Sequence, residues 1–190
     1  MTKSRATHKG HCQVCNNIQK LPGGLLAAHG YTVMQRGWGG WFSGTCHGSH
    51  NLPFERDRAL VDLSILKAHE EISSIGVRME SEKATPADPK KAWRNHSVKN
   101  GPYGYRIWVQ VELVATHEQH PGSHPKYMHG GEWHPIRNTF HSLEDCAEQG
   151  KQMYLQNLNQ RRAELRHFIE RQQDRLKTWR PDAPLIPVAA

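Results

Sequence analysis

Cysteine is scarce in this 190-residue chain, which holds four, and no charged-then-apolar segment opens the sequence. A disulfide-stapled secreted framework is therefore not expected, and the thiols read as reduced, in a cytoplasm. Long apolar runs are absent too. None approaches the roughly 18 residues that span a bilayer, so no membrane partner is expected. Several catalytic signatures are also missing: there is no Gly-x-Ser-x-Gly elbow, no His-Glu-x-x-His, and no His-x-Glu paired with Pro-Cys-x-x-Cys, while Gly37-Trp-Gly-Gly lacks the Lys of a phosphate loop. No catalytic residue is assigned. Negative charge is the minority sign, with 18 Asp+Glu against 25 Lys+Arg, which fits a protein or nucleic-acid partner of acidic character.

What is present begins with Cys12-Gln-Val-Cys15. Two thiolates two residues apart sit on one knuckle and take adjacent corners of a tetrahedron, half of a structural Zn2+ site. Cys46, bracketed by glycines, supplies a third thiolate. The fourth ligand is His29 or His50, and His29 is favoured because a ligand midway through the excursion from Cys15 to Cys46 would pin both halves of it. Too few aliphatic residues fall in the first fifty for an ordinary core, so metal would organise their folding. Cys146, where an apolar helix face begins, reads as a core thiol.

Residues 1–10 read as a basic arm and 11–53 as the zinc-binding module. A helix is expected to open at Pro53 and Glu55, with Val61, Ile65, Ala68, Ile72, Ile75 and Met79 at alternating gaps of four and three. Leu60, Leu63 and Leu66 widen its apolar surface, and Thr85-Pro86 ends it. Residues 88–102 look like a polar connector. Tyr103–Thr116 alternates as a strand through Ile107, Val109, Val111 and Leu113, and Glu132–Phe140 is expected to return beside it as a β-hairpin with a long connection. Ser142 and Asp145 start a second helix running to Trp179, with Leu155, Leu158, Leu165, Ile169, Leu176 and Trp179 at heptad spacing. The expected class is α+β: a zinc-pinned module at 11–53, then over 54–180 two long antiparallel, coiled-coil-like helices with a hairpin between them, and a disordered tail at 181–190. The same seams would serve a homodimer.

Two further clusters invite function. Lys90, Lys91, Arg94 and Lys99 surround Trp93, a mixture suited to nucleic-acid binding by charge and stacking. His117, His120, His124, His129 and His134 crowd a Gly/Pro-rich stretch that could serve a metal-dependent nuclease, although a mobile surface loop explains it more simply.

The order Cys12-x2-Cys15, His29-Gly-Tyr31, Gly40-Trp41, Gly44-x-Cys46 and Pro53-Phe-Glu55 resembles small zinc-finger-like proteins of phages and other bacterial mobile elements, over about residues 10–80. The resemblance implies a zinc module feeding a helix, favours His29 as ligand, and brings no activity with it. It implies a non-enzymatic regulator or inhibitor, such as a counter-defence factor, that binds host or viral machinery in a bacterial cytoplasm. A nuclease or a structural part of a phage or replication assembly are the alternatives.

Overall fold

The computed structural model describes residues 5–34, 41–100, 103–114, 126–129, 132–135 and 142–188. Its elements in order are β1 (His8–His11), β2 (Ile18–Lys20), a 3-10 turn (Pro22–Gly24), β3 (Gly30–Met34), β4 (Trp41–Thr45), α1 (Ala59–Ala84), β5 (Lys91–Asn100), β6 (Tyr103–Val114), β7 (Lys126–His129), β8 (Glu132–Pro135), α2 (Leu143–Lys177) and β9 (Ile186–Pro187). The class is α+β. Close backbone contacts divide the chain into two units, Met1–Glu71 with Leu165–Ala190, and Ile72–Glu164.

In the first unit β1 is the middle strand of a three-stranded antiparallel sheet, ordered β2-β1-β9, while β3 and β4 pair separately. Around the cysteines the described core is small: Cys12, Leu21, Leu26 and Cys46, with Cys15 and Leu185 against them. Two expectations change here. Residues 8–10 of the supposed arm lie in β1, and Ile186–Pro187 of the supposed tail pairs with it, because the main-chain donors and acceptors of a central strand need partners on both edges. The helix also begins later than its proline suggested. Pro53 and Glu55 are buried, and both Glu55 carboxylate oxygens share the one N–H of His11, at 3.1 and 3.0 Å, so this segment packs as a turn. Asp57 then caps α1 by accepting from the Ala59 amide at 3.0 Å.

In the second unit the β-hairpin expected between the helices is not what forms. The strand at 103–114 does not pair with Glu132–Pro135, the described part of the expected return strand 132–140: β6 pairs along its length with β5, from Lys91↔Glu112 to Asn100↔Tyr103, and on its other edge with β7, while β8 pairs with β7. A four-stranded antiparallel sheet, β5-β6-β7-β8, stands there instead. Lys91–Asn100, within the connector expected at 88–102, is its edge strand, since an edge needs only one covered face and tolerates charge on the other. Ala92 supplies the covered residue, in a core with Leu113, Cys146 and Ala147.

Nor are the two helices shown to be a coiled coil. Cα atoms of α1 and α2 do not come repeatedly within 8 Å of each other, as facing layers of a coiled coil do. Burial nevertheless follows three-four spacing, at Val61, Ala68, Ile75 and Met79 on α1 and at Tyr154, Leu158, Leu165, Ile169 and Gln172 on α2. Such spacing requires that one stripe be covered and leaves open by what. On α2 the cover is partly the sheet: Tyr154 stacks on Trp93 with centroids 3.9 Å apart, and a Cβ at Gly150 would meet the Trp93 carbonyl at 2.8 Å. Leu63 and Leu66, expected to pack, are exposed. Among the described residues no helix is long and apolar enough to cross a membrane.

Candidate metal centre

The Cys12–Cys15 segment leaves β1 as a tight turn. The Asn16 amide donates back to the Cys12 carbonyl at 3.0 Å, the Cys12 amide donates to the Asn17 carbonyl at 2.9 Å, and Asn16 takes the left-handed conformation (φ 62°) that asparagine tolerates. The Val14 amide points at Cys12 Sγ, 3.4 Å away. The third thiol arrives on a second turn after β4, closed by a 3.0 Å bond from the Ser49 amide to the Cys46 carbonyl. Gly48 lets the two turns meet, since a Cβ there would lie 2.2 Å from Cys12 Sγ.

His29 completes the group. Its Nδ1 lies 2.8 Å from the Ala27 carbonyl, so that nitrogen carries the proton and Nε2 keeps the lone pair. Ser49 Oγ accepts from the His29 amide at 3.1 Å and holds the residue from its backbone side. The ligand atoms of Cys12, Cys15, His29 and Cys46 all lie within 4.8 Å of one another. Cys12 Sγ and Cys46 Sγ are 3.7 Å apart, and Cys15 Sγ and His29 Nε2 are 3.5 Å apart. Sulfur bonds of about 2.3 Å and a nitrogen bond of about 2.0–2.1 Å to a tetrahedral ion would separate these pairs by about 3.8 and 3.6 Å. The residues therefore fit a tetrahedral metal ion. His50 lies outside this group; it is exposed, sits at φ 64°, and its amide donates to the Leu26 carbonyl.

Charge in the site is unevenly distributed. Burial pushes the Cys12 thiol up, but the Cys15 and Val14 amides and the His29 and Cys15 side chains outweigh it and leave the thiol below its ordinary value. Burial likewise raises Cys15; the Asn17 amide opposes, Cys12 and Cys46 add to the rise, and its pKa reaches about 11. One thiolate in a small space disfavours the next, and a cation among them removes that opposition.

The chain matches no protein-family model, no curated protein and no solved structure.

The residue that sequence reading missed is Gln13, between the first two cysteines. Only 1% exposed, it donates to the Leu52 carbonyl at 3.0 Å and to Asp57 Oδ2 at 3.3 Å, and accepts from the Leu60 amide at 2.9 Å. It fastens the knuckle to the start of α1. A polar residue between two ligand cysteines was the available signal, although exposure would have explained it equally well.

The other predicted clusters fare differently. Trp93 is not free to stack on a base, being stacked on Tyr154 with its indole nitrogen donating to Glu82 at 3.0 Å. Arg94 Nη2 lies 2.8 Å from Cys146 Sγ in the core, while Lys90 and Lys91 are exposed. Lys99 is in β5, but its side chain lies outside the described residues, as do His117, His120 and His124; His129 and His134 fall in β7 and β8.

Proposed function

We propose that the chain is a non-enzymatic, zinc-organised binding protein. The observation that carries this reading is the Cys12–Cys15–His29–Cys46 group, whose separations suit tetrahedral zinc. Three thiolates and an imidazole close the coordination sphere, leaving no position for water or substrate, which is the donor set of a structural site. Zinc here substitutes for an apolar core, because among the described residues the cluster around the cysteines buries only Leu21 and Leu26 as large aliphatic side chains.

The surface built in this way is basic. The first unit carries thirteen Lys and Arg against eight Asp and Glu, so five of the chain's seven surplus positive charges reside there. Together with the resemblance to zinc-finger-like proteins of mobile elements, this supports regulation or inhibition of host or viral machinery through contact with an acidic partner. Elemental analysis after purification in metal-sparing buffer tests the first step: about one zinc per chain is expected, and less than half an equivalent overturns it. Copurification at low and high salt tests the second. Partners lost at high salt support charge-driven contact, and partners held unchanged oppose it.

A further inference from the structure

Arg175, in the last turns of α2, reaches the knuckle from the far end of the sequence. Its Nη1 donates to the Gln13 carbonyl at 3.1 Å and its Nη2 to the Cys12 carbonyl at 3.3 Å. Gln172 Oε1 holds the guanidinium from behind at 2.7 Å, and the Phe54 ring lies beneath it with 4.5 Å between Cζ and the centroid. Gln172 is itself buried. Burial of a guanidinium costs its hydration, and the two carbonyls and Gln172 Oε1 offset part of that cost. A dication held by three thiolates and a neutral imidazole leaves one net negative charge in the site, and a cation fixed on its backbone favours that state.

We propose that Arg175 is the outer-sphere cation of the metal centre, and that it joins metal loading and docking of the end of α2 into one equilibrium. This rests on the zinc reading above. The two carbonyls converge on the guanidinium only while the knuckle is folded, and the knuckle folds around metal. Neighbouring contacts extend the junction: Trp179 Nε1 donates to the Phe54 carbonyl at 2.6 Å, and the Arg58 guanidinium lies 5.1 Å over the Trp179 ring. Zinc thereby acts on chain more than 160 residues from its first ligand.

The test uses the full chain, Zn2+ alone, and the variants Arg175→Gln and Arg175→Lys, each checked by circular dichroism. In chelator competition Arg175→Gln should bind zinc about 10-fold more weakly or worse. Arg175→Lys should fall between, since it keeps the charge and loses the planar fork and the ring contact. In the wild type, removing zinc should raise amide hydrogen exchange over residues 165–177. Wild-type affinity in Arg175→Gln overturns the coupling, and so does exchange at 165–177 that ignores zinc, a measurement that stands even if the glutamine variant fails to fold. A wild type that takes up no zinc instead overturns the metal reading and this inference with it.

Discussion

At the scale of single residues the site depends on side chains that are not ligands. Gln13 satisfies two backbone groups and a carboxylate with one amide, in part-buried bonds that those partners would lose without it. Gln13→Leu keeps the bulk and removes the bonds, so it should lower stability by about 0.5–1.5 kcal/mol for each bond lost. Chemical denaturation of the zinc-loaded protein measures this. Gly48 is as constrained, for a different reason. Gly48→Ala would place a methyl group on Cys12 Sγ, and the expected result is weaker zinc retention together with about 1–3 kcal/mol of strain. Zinc content after dialysis against a weak chelator checks it, and wild-type retention would show that the two turns slide apart freely. While the sequence left the histidine as His29 or His50, the three thiols were legible from the Cys12-x2-Cys15 knuckle and the glycine-bracketed Cys46. Gln13 and Gly48 were not, because their constraint comes from neighbours more than thirty residues away.

At the scale of elements, glycines separate a helix packed on a strand from a helix face in the open. Gly150 of α2 faces the main chain of Trp93, whereas a Cβ at Gly76 of α1 would meet nothing within 4 Å. Gly150→Ala should therefore destabilise, by about 1–3 kcal/mol, as α2 is pushed from β5. Gly76→Ala should stabilise by about 0.5–1 kcal/mol, since alanine loses less backbone freedom on entering a helix. Thermal unfolding of both variants reads the opposite signs, and a shift in the same direction for both would refute the contrast. Periodicity made both helices and β6 visible. It failed for β5, whose pattern of lysine, arginine, asparagine and histidine looks like a connector until a neighbouring strand and helix cover Ala92.

For the whole molecule, metal binding and protonation must be linked. In the metal-free site the Cys15 thiol, at a pKa of about 11, carries its proton at neutral pH. It can bind zinc only by releasing that proton, so loading at pH 7 should liberate about one proton or more per ion, and apparent affinity should fall as pH falls. Titration with zinc in weakly buffered solution with a pH indicator measures the release. Uptake without proton release would show that Cys15 is not a ligand. Chelation should loosen residues 5–34, 41–71 and 165–188 while the sheet of the second unit retains its amide protection, because Ala92, Leu113, Cys146 and Ala147 form a core of their own.

The amino-acid sequence alone determined the ligand chemistry, the two helices and the long strand, since each is written in spacing over a few residues: two thiols on one knuckle, apolar positions every three or four, alternation along 103–114. Only the tertiary structure decided which histidine joins the thiols, which strand lies beside β6, and what covers part of α2. Those choices depend on contacts between distant segments, where His29 is aimed by the Ala27 carbonyl, β5 takes the edge that a return strand was expected to fill, and Arg175 meets Cys12 across most of the chain. Local pattern states that a face must be covered or a ligand supplied; chain connectivity and packing choose the residue that does it.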